Sequence, residues 1–138
     1  MTWLPFSEEL PTALISRCLL GVPCRYHGRT ITRYGTPTGR PALVRSLRER
    51  CHLLDICPEC DAGLPTPRPP TRIIGGRWVA AGKDLTELFQ QAALAVLQQA
   101  REHEICCAYL CKGSPACDPV FGATGHLLRQ AGFKVISI

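Results

Sequence analysis

The sequence predicts a single α/β domain built on a small parallel sheet flanked by helices. Two observations lead to this prediction: short apolar runs alternate with helical patterns, and the chain has only 138 residues. Strands that alternate with helices form right-handed βαβ units, which give a parallel sheet. A chain of this length suits one hydrophobic core, so we expect one domain over residues 1–138.

Four short apolar runs have the length and composition of strands. The first leads into Cys18, the second into Cys57 and the third into Cys111. The four predicted strands are Thr12–Ser16, His52–Ile56, Ile105–Leu110 and Phe133–Ile138.

Three segments between these runs show helical patterns. Asp84–Glu104 is the strongest, because its apolar residues repeat with helical period along one face. Asp84 has the residue type of an N-cap, and Glu87 follows at the spacing of a capping box. The other two predicted helices are Pro41–Arg50 and Ala123–Ala131.

A segment rich in proline and glycine, Gly63–Gly82, separates the second strand from the long helix. Leu64–Pro70 should be extended, because each proline keeps the preceding residue out of the helical region. Thr71–Ala80 then has room for a small hairpin over the edge of the sheet.

The cysteine content points to metal binding, catalysis or packing. Met1–Leu10 contains two acidic residues and no basic run before an apolar stretch, so we expect no secretory signal and a cytoplasmic protein. No apolar stretch is long enough to span a membrane. Disulfides are uncommon in the reducing cytosol, so the nine cysteines should be free for these other roles.

Three cysteines lie at or just beyond the carboxyl ends of predicted strands: Cys18, Cys57 and, after a short loop, Cys117. Open parallel sheets bind ligands outside those ends, so these residues should converge. Cysteine thiolates are the usual protein ligands of iron–sulfur clusters. Three thiolates on a four-iron cluster would leave one iron open to substrate, which suits Lewis-acid chemistry more than electron transfer.

The other six cysteines have less specific expected roles. Cys24 and Cys60 lie in loops near the expected ligands and are candidate alternative ligands. The remaining four are expected to pack as small apolar side chains, two of them within a strand buried on both faces. These four are Cys51, Cys106, Cys107 and Cys111, of which Cys106 and Cys107 belong to the strand.

Cys57 and Cys60 also form a CxxC motif, which has two other interpretations. A thioredoxin-like motif opens a helix, whereas here Asp61, Gly63 and a proline-rich run follow, so no helix is expected. A zinc ribbon needs a second CxxC, and the sequence has none.

Five segments resemble the signature blocks of the thiouracil desulfidases, in the same order along the chain. The resemblance runs from about Leu14 to the C-terminus. The matching segments are Ser16–Gly28, Cys57–Glu59, Gly63–Arg68, Gly82–Thr86 and Ser114–Cys117.

This resemblance implies a Rossmann-like fold and a [4Fe–4S] cluster held by Cys18, Cys57 and Cys117. It implies desulfuration of thiolated uracil compounds such as 2-thiouracil, 4-thiouracil or 4-thiouridine nucleotides, giving the uracil compound and sulfide. It also places the catalytic pair on Glu59 and Ser114. An open iron would polarise the C=S bond and make the ring carbon more electrophilic, so that a water molecule can attack it. Glu59 would take the proton of this water. Ser114 would donate a hydrogen bond to the developing charge or to the base ring.

Each of these two residues also has a structural interpretation. Glu59 could pair with a nearby arginine, and Ser114 could serve only as a turn residue before Pro115. The chain departs from the family pattern at four positions and has a shorter segment after the last ligand, which affects the expected substrate more than the ligands. The departures are Arg17, His27, Ala116 and Asp118.

The net charge of +5 comes mainly from arginine. This bias suits an anionic ligand such as a nucleotide, but charge alone favours the alternative, a solvated basic surface that keeps the protein soluble. The arginines near the matching segments, however, offer more positive charge than an uncharged base requires. We therefore expect 4-thio-UMP to be a better substrate than 2-thiouracil. A lone domain of this size has no added RNA-binding element, so small molecules are expected before RNA. The arginines near the expected site are Arg17, Arg25, Arg68 and Arg72.

The alternative function is a non-catalytic module that carries an iron–sulfur cluster or zinc. No feature of the sequence predicts an oligomeric state.

Overall fold

The computed structural model describes residues 10–28 and 40–138. In the described residues the chain forms seven strands, four α-helices and one turn of 3-10 helix at Arg17–Leu20. The strands are β1 Thr12–Ser16, β2 His52–Ile56, β3 Arg72–Ile74, β4 Arg77–Ala80, β5 Lys83–Asp84, β6 Cys107–Leu110 and β7 Val135–Ser137. The helices are α1 Pro41–Arg48, α2 Pro58–Asp61, α3 Thr86–Glu102 and α4 Ala123–Gln130.

The main sheet is four-stranded and entirely parallel, with the order β2–β1–β6–β7. In β1, Leu14 pairs with Leu54 of β2 on one side and with Ala108 of β6 on the other. Ala13, Leu14 and Ile15 are fully buried, because both faces of a parallel sheet are covered by helices. The predicted α/β fold with a parallel sheet is thus confirmed, and β1 and β2 have the predicted bounds.

The long helix α3 covers the sheet with an apolar face, but it begins differently from the prediction. Asp84 belongs to β5, which pairs with β4, so this residue is not an N-cap. Its carboxylate instead accepts hydrogen bonds from the N–H of Thr86 at 2.9 Å and from Nε of Arg77 at 2.9 Å. Leu85 takes the N-cap position, so the predicted capping box with Glu87 does not form.

A second difference concerns the CxxC segment, where the sequence predicted no helix. The single turn α2 begins directly after Cys57. Pro58 occupies the first helical position, where its missing N–H costs nothing and its fixed φ suits the helix. Gly63, with φ +96°, then ends the turn. Glu59 and Cys60 therefore lie on a short helical turn rather than in an irregular loop.

The predicted hairpin after the proline-rich segment is present and gains one strand. β3 pairs antiparallel with β4, and β4 with β5, in a separate three-stranded sheet. The two later strands of the main sheet are shorter than predicted: β6 begins two residues later, at Cys107, and β7 lacks residues at both ends, because only the remaining residues pair. No helix in the described parts of the chain is long and apolar enough to cross a membrane.

The loop that carries Cys117 packs closely against the start of α4. A Cβ atom added to Gly125 would lie 2.3 Å from the carbonyl oxygen of Cys117. One added to Gly122 would lie 2.5 Å from the backbone nitrogen of Asp118. Only glycine allows this approach of helix and loop, so the position of Cys117 depends on these two residues.

We predict that Gly125→Ala lowers the free energy of unfolding by about 1–3 kcal/mol, because the new methyl group meets backbone that no rotamer change can move. Denaturant unfolding would measure the loss. Gln130→Ala, at an exposed position of the same helix, is the matched control and should change stability by less than about 0.5 kcal/mol. A stabilised Gly125→Ala protein, as expected from helix propensity alone, would contradict the close packing.

Candidate functional site

A cavity of about 170 Å³ lies at the carboxyl edge of the parallel sheet. The predicted ligands reach it from three segments: Cys18 follows β1, Cys57 follows β2, and Cys117 lies in the loop after β6. Glu59 and Ser114 also lie in the cavity wall. The structure therefore brings all five residues of the predicted site together around one cavity.

Two further cysteines share this wall, and the thiols are in contact. The thiol of Cys18 is hydrogen-bonded to those of Cys111 and Cys24. The thiol of Cys24 is also hydrogen-bonded to that of Cys57, which in turn contacts Cys60. The thiols of Cys111, Cys18, Cys24 and Cys57 are thus linked in this order along the cavity wall, and Cys60 lies next to Cys57 outside the wall.

The crowding of these thiols controls their ionisation. The hydrogen bond with Cys111 raises the pKa of Cys18 to about 12, and the bond with Cys18 raises that of Cys24 to about 12. Burial raises the pKa of Cys117 to about 12. For Cys111, the hydrogen bond with Cys18, together with the charge of Arg25, lowers the pKa to about 7 although burial opposes this. A metal group bound by such thiols has to displace their protons.

The donor set fits a cluster of several irons. No three His, Cys, Asp or Glu side chains in residues 10–28 and 40–138 converge on a point where a single metal ion would bind. Five cysteines surround a cavity, and in a [4Fe–4S] cluster each protein thiolate binds a different iron. Cys18, Cys57 and Cys117 come from three different segments around this cavity, as ligands that enclose a cluster would.

Glu59 forms an ion pair within the wall. Its Oε1 accepts a hydrogen bond from Nε of Arg68 at 3.1 Å, and the two side chains are only 11% and 4% exposed. The structural interpretation of Glu59, pairing with an arginine, therefore holds, and so does its placement beside the expected ligands. Pairing with Arg68 is compatible with a catalytic role, since Glu59 also lines the cavity.

Arg17, which departs from the family pattern, also pairs with carboxylates. Its Nε lies 2.6 Å from Oδ2 of Asp55, and another of its nitrogens lies 2.9 Å from Oδ1 of Asp61. Asp61 also accepts a hydrogen bond from the backbone N–H of Cys57 at 3.1 Å. Arg17 therefore braces the turn that carries Cys57, and its charge is compensated within the protein.

Arg25 and Arg72, the other two arginines named in the sequence analysis, differ from Arg17 and Arg68 in their surroundings. Arg25 lines the cavity, and its partners among the described residues are the thiols of Cys111, at 3.1 Å, and Cys18. Arg72 lies exposed on β3, outside the cavity wall. Among the arginines of residues 10–28 and 40–138, Arg25 is therefore the one whose positive charge a ligand in the cavity could use most directly.

Beside Arg25, Tyr26 presents an aromatic ring at the cavity. This residue is 39% exposed, and its ring lies 4.8 Å from that of His27 in a tilted arrangement. His27 does not line the cavity, so Tyr26 is the ring of this pair that a ligand in the cavity can contact.

Ser114 and Asp118 organise the loop that carries Cys117. The Oγ of Ser114 accepts hydrogen bonds from the backbone N–H groups of Ala116 and Cys117, both at 3.1 Å. Ser114 therefore stabilises the turn, as its structural interpretation predicts. Asp118 is buried, and burial opposes its ionisation. Its carboxylate nevertheless accepts bonds from three backbone N–H groups, which keep its pKa below the ordinary value. The three donors are Gly113, Val120 and Phe121.

The sequence analysis misplaced one cysteine and missed a second role of another. Cys111 is buried in the core as predicted, but it also lines the cavity, and its position at the carboxyl end of β6 is the signal that could have shown this. Cys106 was expected to be buried within a strand, but β6 begins one residue later and Cys106 is exposed. Its Sγ lies 3.6 Å from that of Cys107, which is buried as predicted.

An α/β domain with a thiol-lined cavity and a buried carboxylate at its strand ends has the features of a metal-dependent enzyme of the Rossmann-like class. Residues 13–137 match the family model described as 2-thiouracil desulfurase, and the chain belongs to that family. This confirms the resemblance found in the sequence.

Two similar proteins cover nearly the whole chain. An uncharacterized protein of Bacillus subtilis (strain 168), YbbK, is 32% identical over an alignment of 149 positions, which covers 90% of this chain and 93% of that protein. A solved structure of the [4Fe–4S]-dependent thiouracil desulfidase TudS superposes with a TM-score of 0.76 at 32% identity. It covers 92% of this chain and 90% of its own.

Proposed function

We propose that this protein is a [4Fe–4S]-dependent desulfidase that converts thiolated uracil compounds into the uracil compound and sulfide. The observation that carries the proposal is the convergence of Cys18, Cys57 and Cys117 on one cavity that Glu59 and Ser114 also line. Membership of the desulfurase family and similarity to a [4Fe–4S]-dependent desulfidase support it. We further propose a single-domain cytoplasmic enzyme, because its free thiols suit a reducing compartment.

Cys18, Cys57 and Cys117 would hold the cluster in this proposal. When bound, the cluster supplies a thiophilic Lewis acid for the thiocarbonyl sulfur, since soft ligands and iron match well. Cys24, Cys60 and Cys111 then remain as neighbouring thiols. Cys60 is the least suited to be a ligand, because it does not line the cavity and is hydrogen-bonded to Thr66.

The protein itself would manage the protons of the reaction. Water adds to the thiocarbonyl carbon, the C–S bond breaks, and the sulfur leaves as hydrogen sulfide, so no electrons are exchanged. Glu59 takes the proton of the water, for which a carboxylate in the cavity wall beside Cys57 is well placed. The Oγ of Ser114 already accepts two backbone bonds, so its hydroxyl hydrogen is left to donate to charge that develops on the substrate.

The ligand assignment predicts a clear pattern of iron binding. Anaerobically reconstituted protein should bind about four irons per chain and show brown thiolate-to-iron absorption. Alanine at Cys18, Cys57 or Cys117 should abolish this loading, because each removes one thiolate. Iron analysis and visible spectra measure both properties.

Cys106→Ala is the matched control, since this thiol is exposed and does not line the cavity, and it should load iron normally. If Cys24, Cys60 or Cys111 proves as necessary as the three proposed ligands, the ligand set is wrong.

Glu59→Gln should bind the cluster yet lose most sulfide release, because an amide cannot accept the proton of water at neutral pH. Ser114→Ala should also keep the cluster and lose a smaller factor, as expected for one hydrogen bond to developing charge. Single-turnover sulfide release on fully loaded protein separates these effects from cluster loss. Near-normal turnover by Glu59→Gln would rule out its assignment as the proton acceptor.

The charge distribution refines the predicted substrate. Arg17 and Arg68 are compensated by carboxylates, so the expected preference for a nucleotide now rests mainly on Arg25. Its guanidinium would bind a phosphate by charge-assisted hydrogen bonds. The exposed ring of Tyr26 could stack on the base.

We predict that 4-thio-UMP has a higher kcat/KM than 2-thiouracil, and that Arg25→Ala lowers the value for the nucleotide by about tenfold more than for the base. Added salt should narrow the difference, because it screens the charge. Arg72→Ala is the control and should not discriminate between the substrates. Equal values, or a preference for the free base, would exclude the nucleotide and leave the desulfidase proposal standing.

A further inference from the structure

Arg68 connects the separate segments that form one side of the cavity. Its Nε donates to Oε1 of Glu59 at 3.1 Å. One terminal nitrogen donates to the carbonyl oxygen of Cys24 at 3.1 Å. The other donates to the carbonyl oxygen of Pro65 at 3.2 Å and to Oγ1 of Thr66 at 3.1 Å. All three guanidinium nitrogens are therefore held by the protein.

The pair between Arg68 and Glu59 is buried, which makes its geometry important. A buried charge is stable only when its partner and its remaining hydrogen bonds are in place. The side chain of Arg68 is 4% exposed, and its bonds to backbone carbonyls satisfy the nitrogens that do not reach Glu59. The guanidinium is thus held by contacts other than the one with Glu59, and it can in turn hold the carboxylate in place.

Glu59 needs such a partner because its own segment provides little orientation. It lies on α2, a single turn of four residues, and its side chain has no other hydrogen-bond partner among the described residues. Arg68 occupies Oε1, whereas Oε2 has no partner in the described parts of the chain and is not among the fully buried oxygens that lack one. That oxygen is the one left for a water molecule in the cavity.

We propose that Arg68 is a positioning residue for the desulfidase reaction. Its Nε holds Oε1 of Glu59 and directs Oε2 into the cavity. This inference rests on the proposed function of Glu59 as the proton acceptor. Lysine would not replace Arg68, because a single ammonium group cannot contact Glu59, Cys24 and the proline-rich loop in fixed directions at once.

A double-mutant cycle on the reconstituted enzyme tests the proposal, with Arg68→Lys, Glu59→Gln and the combined variant. We expect Arg68→Lys to lower kcat by about 10- to 100-fold, the usual effect of a misplaced catalytic group, with KM changed less than about twofold. Iron content and the visible spectrum should stay at the parent level. In the Glu59→Gln background the same change should have almost no further effect on kcat, because residues that act as one unit are not additive.

Arg77→Lys is the matched control, since Arg77 also pairs with a carboxylate, that of Asp84, but does not line the cavity. It should keep the parent kcat. Independent, multiplicative effects of Arg68→Lys and Glu59→Gln would overturn the positioning role while the proton-acceptor role stands. Near-normal turnover by Glu59→Gln alone would instead remove the proposed role of Glu59, and the inference would fall with it.

Loss of iron or of thermal stability in Arg68→Lys would call for the same cycle with Arg68→Gln, whose amide can still donate to Glu59. If neither variant binds iron, the role of Arg68 is structural and the proposal is overturned. If Arg68→Gln binds iron, the same non-additivity with Glu59→Gln is expected.

Discussion

The parallel pairing of β1 with a neighbour on each side is the constraint on which the candidate site depends. Ala13, Leu14 and Ile15 are fully buried between β2 and β6, so the register of the three strands is set by the core. Because the strands run in the same direction, their carboxyl ends meet at one edge of the sheet. A slip of one residue would turn the buried side chains of β1 to the other face and shift Cys18 relative to Cys57. The packing that forms the core therefore also assembles the cavity.

Charge compensation is the second organising feature of the cavity wall. Arg68 is paired with Glu59, as expected where an unpaired buried charge is costly. The more exposed Arg17 is paired with Asp55 and Asp61. Asp61 and Glu59 both lie on the single turn α2, directly after Cys57. A turn of this length has little stability of its own. Two arginines from different segments of the chain thus hold the turn that follows a proposed ligand and carries the proposed proton acceptor.

Several elements were predictable because their signals are local, and others were not because distant pairing overrode those signals. β1 and β2 have the predicted bounds, since each is a short apolar run of strand-forming residues. Asp84 has the residue type of an N-cap, yet pairing of β5 with β4 places it in a strand. Cys106 has the pattern of a strand residue, yet it lies just before the first paired residue of β6 and is exposed. The turn after Cys57 was missed because proline and glycine were read as excluding a helix, whereas they begin and end a short one.

The sequence alone determined the fold class, the family and the cysteines at the strand ends, because apolar periodicity and block spacing are properties of neighbouring residues. The tertiary structure decided which cysteines share the cavity, which arginines have carboxylate partners and which residue holds Glu59. The bond between Arg25 and Cys111 joins residues 86 positions apart, and that between Arg68 and Cys24 joins residues 44 apart. Contacts over such separations arise only when the sheet brings its strand ends together, so no local pattern along the chain could have revealed them.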